Sequence, residues 1–288
     1  MMDDSRFVII GSKGQLGTAL REKYPNARAV DADELDITNS EAVNNFDWEN
    51  VTTILNAAAY TNVDGAETND GRVAAWRVNA IGPRNLSKIA SQKDITLVHI
   101  STEYVFDGMA IEPHKEDETP SPLSAYGSAK AAGDLAVSLS PKHYICRTTW
   151  LIGEGKNFVR TMLGLGKKGV APTVVADQIG HLTFTSELVR AIDHLLKTSP
   201  AYGTYNVTNS GDPASWADVT RAIFQLGNFN LAVTGTTTAE YYAGKPEAAA
   251  RPLNGVMNLE KLQQAGFSPN DWHDDLKAYI GKELAGSR

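Results

Sequence analysis

Cysteine is almost missing from this chain: Cys146 is the single one in 288 residues. No intrachain disulfide can form. Cys146 lies in the apolar, strand-like run "HYICRTTW", which suits a small buried hydrophobe in a reducing compartment rather than a reactive thiol. Positive charge is also in short supply. Lys and Arg total 27 against 34 Asp and Glu, a formal net charge of −7. With no long basic run, a nucleic-acid or anionic-membrane partner is not expected, and any bound phosphate must be held by local groups. No apolar stretch reaches 18 residues, and the start "MMDDSRFVIIGSKG" has no basic segment leading into a long apolar one. Neither a membrane span nor a secretory signal is expected, and the expected location is the cytoplasm. The six histidines, at 99, 114, 143, 181, 194 and 273, show no ligand spacing, so no metal site is expected.

What is present is a globular composition, 42% hydrophobic and 21% charged. Short β-branched runs at 6–11, 27–32, 51–58, 96–101 and 144–152 alternate with helical stretches at 15–23, 40–46, 71–92 and 124–139. Continuous apolar stretches without in/out alternation, as in "FVII", suit strands covered on both faces. This alternation predicts an α/β fold, a Rossmann-like doubly wound parallel sheet. Past residue 150 the pattern loosens. Strands are expected at 173–177 and 203–208, and a helix from an N-cap at Ser215 to Gly227. The expected division is a dinucleotide-binding domain over 1–150 and a smaller mixed α/β substrate lobe over 151–288, with some later segments returning to the first domain.

"VIIGSKGQLGTAL" sets Gly11, Gly14 and Gly17 directly after the first strand. A tight strand-to-helix turn needs residues without Cβ, and a pyrophosphate must approach that backbone closely. The helix N-terminus then offers free N–H groups and partial positive charge. Asp31, 20 residues after Gly11, is placed to bond a ribose 2′-hydroxyl, which favours NAD. Lys13 points the other way, toward a 2′-phosphate. The cofactor is expected to be NADPH or NADH, with NADPH preferred.

Three Tyr–Lys pairs have helical spacing. Tyr241/Lys245 is interrupted by Gly244 and followed by Pro246, and Tyr279/Lys282 lies far from the phosphate turn. Tyr126/Lys130, in "AYGSAKAAGD", follows the fourth strand and sits in a helical run, so both side chains share one face. The small residues around them are expected to leave room for a bulky ligand. Free tyrosine has a pKa of about 10, and a neighbouring ammonium is expected to bring it down toward a working range. Tyr126 would then protonate a carbonyl oxygen as hydride reaches the carbon, with Ser101 or Thr102 orienting that carbonyl.

Taken in order, the glycine turn, "NAAAYTNVDGAE" (56–67), "STEYVFDG" (101–108), "YGSAK" (126–130), "RTTWLIGEGKNFV" (147–159) and "ARPLNGVMNLEKLQQAGF" (250–267) resemble the extended short-chain dehydrogenase/reductase family. Within it they are similar to the dTDP-4-dehydrorhamnose reductases. The resemblance implies reduction of the C4 ketone of dTDP-4-dehydro-L-rhamnose to dTDP-L-rhamnose. It implies Thr102, Tyr126 and Lys130 as the catalytic set. Gly11, Gly14, Gln15, Leu16 and Gly17 would hold the pyrophosphate. Asp36 and Ile37 would sit at the adenine, Ala58, Ala59 and Tyr60 along the adenosine and ribose, and Asn79 at a helix distortion marked by Gly82 and Pro83. Glu103, Tyr104, Trp150 and Asn157 would contact the nucleotide sugar, and Arg251 would be among the cations meeting its pyrophosphate. It also implies a functional association with a sugar epimerase. Three positions depart from the family pattern: Glu103 where Asp is common, Leu182 where Pro is usual, and Gly255 where Ser is usual. The alternatives are another nucleotide-sugar reductase or epimerase, or a non-catalytic subunit like the regulatory subunit of methionine adenosyltransferase.

Overall fold

Phe7–Ile10 (β1) is buried at all four positions, because both faces of its sheet are covered. Phe7 and Ile9 point into one apolar cluster; Val8 and Ile10 point into another. The computed structural model describes residues 2–245 and 247–286, so Pro246, expected to break the helical spacing of Tyr241 and Lys245, lies outside the described residues. β1 is flanked by Arg28–Val30 (β2) and Thr53–Asn56 (β3), followed by Thr96–Thr102 (β4), His143–Thr148 (β5) and Gly203–Asn206 (β6). The spatial order is β2-β1-β3-β4-β5-β6, every pairing parallel. The α/β doubly wound sheet expected from the sequence is what the chain forms. Its sixth strand comes from the second half of the chain.

The register places Ile9, Leu55 and Val98 side by side on one face. Helices Gln15–Lys23 (α1) and Thr185–Thr198 (α7) close over that row through Leu16, Leu20, Leu188 and Ile192. The opposite face is covered by Ser40–Asn45 (α2), Gly82–Lys93 (α4) and Ala125–Val137 (α5) through Val43, Leu86, Ile89 and Val137. Each such side chain, fully buried, contributes roughly 1.5–3 kcal/mol. Cys146 belongs to the first cluster, is fully buried, and its thiol is pushed up to about 12 by burial.

The helix expected at 71–92 is two helices with a π turn between them: Asn69–Trp76 (α3), Arg77–Ile81, then α4. Pro83 has no N–H to give the carbonyl of Asn79, so the α pattern fails there. The Gly82 N–H bonds back to Arg77 instead. The freed Asn79 carbonyl lies so close to Gly133 of α5 that a Cβ there would come within 2.1 Å of it.

The second lobe has its own core, around Ile152, Val159, Leu163, Leu182, Ile223 and Trp272. Leu182, at one of the three departures, is fully buried in it. Helices Phe158–Lys167 (α6) and Trp216–Leu226 (α8) pack together, and Ser215 caps α8 in a reciprocal box with Asp218. Among the described residues, no helix is long and apolar enough to cross a membrane, and no cluster of three or more His, Cys, Asp or Glu is placed to hold a metal ion.

Candidate active site

The carboxyl ends of β1, β3, β4 and β5 converge on one edge of the sheet. At the end of β1, Gly11 takes φ +77°, and a Cβ there would lie 2.6 Å from the Ala58 amide nitrogen. Only glycine fits such a turn without strain. A Cβ on Gly17 would meet the Gly11 carbonyl at 2.1 Å. The turn is therefore closed tightly on itself, and α1 begins directly above it at Gln15. The first N–H groups of α1 have no carbonyl within the helix to meet. This is a cradle that fits a dinucleotide pyrophosphate. The Gln15 side chain reaches the Lys156 carbonyl at 3.5 Å, and its Oε1 is buried without a partner. Leu16 is buried in the core beneath the turn.

Asp31, at the end of β2, accepts a hydrogen bond from the Lys13 backbone N–H at 2.9 Å. The Lys13 ammonium pairs with Asp33 at 2.8 Å on the surface. Asp33 first, then the charges of Asp31 and Glu34, raise the proton affinity of Lys13. Lys13 is thus a single cation beside the turn, paired with Asp33 and near the charges of Asp31 and Glu34. Asp36 accepts from the Thr38 N–H at 2.9 Å, and Ile37 is buried against Gly82.

After β3, the loop carrying Ala58, Ala59 and Tyr60 is pinned from behind. Asn79 accepts from the Tyr60 N–H at 2.8 Å and donates to the Tyr60 carbonyl at 3.0 Å. Both ends of its amide are used on this loop. The structure thus gives Asn79 a supporting contact rather than an open face toward a cofactor.

β4 ends in Thr102, whose hydroxyl donates to Glu103 Oε2 at 2.7 Å and accepts from the Tyr104 N–H at 3.2 Å. Ser101 is buried and its hydroxyl has no partner. Burial raises the Glu103 carboxyl to about 7, with the Thr102 hydrogen bond pulling the other way. Tyr126, in the first turn of α5, stands edge-on to Tyr104 with ring centres 5.4 Å apart.

Two expectations about Tyr126 and Lys130 are corrected here. Lys130 is buried, and its ammonium donates to the Ile100 carbonyl, with His99 Nε2 at 3.5 Å. It does not acidify Tyr126. Burial first, then the Glu103 charge, raise the Tyr126 phenol above its ordinary value, and the Thr102 hydroxyl opposes them. A raised phenol stays protonated at neutral pH, which is the form a proton donor needs. Burial lowers Lys130 to about 8, Asp134 opposing, and holds His99 well below its usual value. Secondly, the small residues of α5 do not all clear space for a ligand. A Cβ on Gly127 would lie 2.2 Å from the Tyr104 carbonyl, and one on Gly133 would strike Asn79. They let α5 touch protein backbone. Gly127→Ala is expected to cost ~1–3 kcal/mol and to lower turnover by shifting Tyr126 against Tyr104; thermal unfolding and steady-state rates check both.

Beside this edge lies a cleft of about 420 Å³, lined by Glu103, Tyr104, Trp150, Arg251 and, from the second lobe, Phe158, Met162, Gln178, Trp216 and Tyr242. Trp150 takes φ +39° and stacks on Trp216, ring centres 3.7 Å apart. Arg251 is held by both oxygens of Asp64, at 2.8 and 3.0 Å, and lies over the Tyr242 ring. Asn157 is placed elsewhere: it caps α6, and its amide donates to the Gly153 carbonyl and the Tyr279 hydroxyl, each at 2.8 Å. Trp216, Tyr242, Phe158 and Gln178 are cleft residues that the sequence reading did not single out.

A parallel sheet with a tight glycine turn after β1, Thr102 at the end of β4, and Tyr126 and Lys130 on α5 is the arrangement of a nicotinamide-dependent reductase of the short-chain dehydrogenase type. The chain belongs to the family described as the RmlD substrate binding domain, whose model matches residues 5–284. It is 40% identical to the dTDP-4-dehydrorhamnose reductase of Aggregatibacter actinomycetemcomitans, over 95% of this chain and 97% of that protein. It is 36% identical to a probable dTDP-4,6-dihydroxy-2-methyloxan-3-one 4-ketoreductase of Streptomyces antibioticus, over 97% of this chain and 96% of that one. The crystal structure of the dTDP-4-dehydrorhamnose reductase of Bacillus anthracis, in complex with NADP, matches with a TM-score of 0.88 at 38% identity, covering 98% of this chain and 99% of that one.

Proposed function

We propose that this chain reduces the C4 ketone of dTDP-4-dehydro-L-rhamnose to dTDP-L-rhamnose with NADPH or NADH. The observation that carries the reading is Tyr126 standing behind Glu103 and Tyr104, which line an aromatic cleft at the sheet edge bearing the phosphate cradle. When bound at the Gly11–Gly17 turn, the nicotinamide cofactor supplies hydride to the ketone carbon.

The chain's own residues do the rest. Tyr126 gives its proton to the carbonyl oxygen. Thr102 orients that oxygen. Lys130 sits buried beneath the same helix face, its ammonium held by the Ile100 carbonyl. Tyr104 and the Trp150–Trp216 stack hold the nucleotide sugar by its flat faces, and Arg251, steadied by Asp64, meets its pyrophosphate. In this reading residues 1–150 form the cofactor domain and 151–288 mostly the substrate lobe. Gly203–Asn206 and α7, which pack with the first domain, support the exception. Cytoplasmic location and association with an epimerase that supplies the keto sugar belong to the same reading.

The test is substrate-dependent NADPH oxidation by the purified protein with the dTDP-linked keto sugar. A stoichiometric enzyme partner in a pull-down, with no turnover on any nucleotide sugar, would favour a regulatory subunit instead. Cofactor choice has its own test. Removing the cation with Lys13→Ala is expected to raise KM for NADPH roughly tenfold, the loss of one charge-assisted contact, and to leave NADH within about twofold. Equal effects on both cofactors would remove Lys13 from the 2′-phosphate.

A further inference from the structure

A buried polar cluster lies under α5. Asn56 ends β3, His99 lies in β4, Lys130 and Asp134 in α5, and Arg147 in β5; none is more than 5% exposed. Its hydrogen bonds have one consistent polarity. The Ala58 N–H, 3.2 Å from the Asn56 side chain, can only donate, so the amide oxygen faces it. The amide NH2 then faces His99 Nδ1, 3.0 Å away. That nitrogen must accept, which puts the single ring proton on Nε2. An imidazolium would set N–H against NH2. Nε2 in turn faces Lys130 Nζ at 3.5 Å, with Asp134 Oδ1 at 4.0 Å. A donor is therefore turned toward Lys130. An ammonium has no lone pair, so it gives an N–H to the Ile100 carbonyl and takes nothing from His99. The neutral amine does both. The other charged and titratable groups are few. Asp134 favours the ammonium, but one of its oxygens is bonded to Arg147 Nε at 3.0 Å. Tyr126 stands one turn earlier on α5, and β3 offers only the neutral Asn56 amide.

We propose that Asn56 and His99 are positioning residues for Lys130: Asn56 locks the His99 tautomer, and the N–H so presented favours the neutral amine of Lys130 over its ammonium. Burial works in the same direction, and together they leave the group at about 8 instead of the ordinary lysine value. The ammonium is the main form below about pH 8 and is lost above it. The same Asn56 amide holds the Ala58 N–H, so the loop after β3 and Lys130 are joined through two side chains. The consequence for turnover rests on the reductase reading above, with Lys130 acting as a cation.

The experiment is NMR on the full-length protein, and it needs no substrate. With ¹⁵N-histidine, the ring missing from a His99→Phe variant is expected to show a bare Nδ1 and a protonated Nε2. With ¹³C-lysine, the resonance missing from Lys130→Met is expected to titrate near pH 8. A proton on Nδ1, or a doubly protonated ring, overturns the proposal. Asn56→Asp then reverses the polarity. Its carboxylate still accepts from the Ala58 N–H but must also accept from Nδ1, which moves the ring proton there and turns the Nε2 lone pair toward Lys130. The tautomer is expected to switch, and the proton affinity of Lys130 to rise at least about tenfold. The same substitution in a His99→Phe background measures the effect of the added charge alone, where the rise should be less than about threefold. Equal rises in both backgrounds, or none, overturn the proposal. A merely structural role would lower stability without exchanging the tautomer. Should Asn56→Asp fail to fold, the wild-type tautomer and titration still decide. In kcat, the fall above about pH 8 is expected to move upward with the Lys130 resonance in Asn56→Asp; a fall that stays in place overturns the positioning role. Resonances as expected, with no turnover of the keto sugar at any pH, would overturn the reductase reading and leave the tautomer assignment standing.

Discussion

Tyr126→Phe is expected to lower kcat/KM about 10²- to 10⁴-fold, the range for losing a positioned proton donor. The ring stays, so its edge-on packing against Tyr104 and the first turn of α5 should remain intact. Thermal stability should therefore change little, and the affinity for NADPH should stay within about threefold. The size of the loss follows from the surroundings. Thr102 bonds Glu103 beside it, and burial with the Glu103 charge keeps the phenol protonated. No other phenol occupies that place, since Tyr104 is directed along the cleft wall with its own raised value. Rates measured by loss of NADPH absorbance, with titration of NADPH into each protein, separate a missing donor from weaker cofactor binding. A variant within tenfold of wild type would show that the proton comes from elsewhere.

Asp134→Ala is expected to be the most damaging change outside the cleft. Asp134 and Arg147 are both buried, and the guanidinium Nε lies 3.0 Å from the carboxylate. Arg147 also donates to the Glu116 carbonyl at 3.1 Å, so it cannot swing into solvent without breaking that contact. Removing the carboxylate leaves a buried positive charge without a counterion, which costs about 3–5 kcal/mol. The same substitution removes the charge that supports the Lys130 ammonium, so Lys130 should lose its proton at a lower pH than before. Urea unfolding followed by tryptophan fluorescence gives the first effect. A loss below about 1 kcal/mol would show that the pair contributes no more than a surface ion pair does.

The sheet was legible because its strands obey one rule. Phe7–Ile10 and Thr53–Asn56 have no exposed face, so the first reads as an unbroken apolar run and the second as Ile54 and Leu55 between Thr53 and Asn56. The glycine turn was legible for a similar reason: Gly11 and Gly17 sit where a Cβ would strike backbone. Gly82 and Pro83 announced the break at Asn79, although not that the Asn79 amide would be spent on Tyr60. The cleft was only half legible. Glu103, Tyr104, Trp150 and Arg251 lie in motifs, and Phe158 shares the Trp150 motif without standing out in it, but Gln178, Trp216 and Tyr242 come from three separate segments that only the folded second lobe brings together. Trp216 had a local sign, the capping serine before it, yet a cap says where a helix starts and not what it faces. The sense of the Tyr126 shift was not legible either. Spacing puts Tyr126 and Lys130 on one face, but the rotamer that sends the ammonium to the Ile100 carbonyl depends on β4 beneath.

The most direct test of the whole account follows one deuterium. The protein is given dTDP-4-dehydro-L-rhamnose and NADPH deuterated at the nicotinamide C4 position that transfers, and the product sugar is examined by NMR. The account predicts one deuterium at C4 of dTDP-L-rhamnose and none elsewhere. Deuterium at another carbon, or consumption of the sugar without any label, would contradict it.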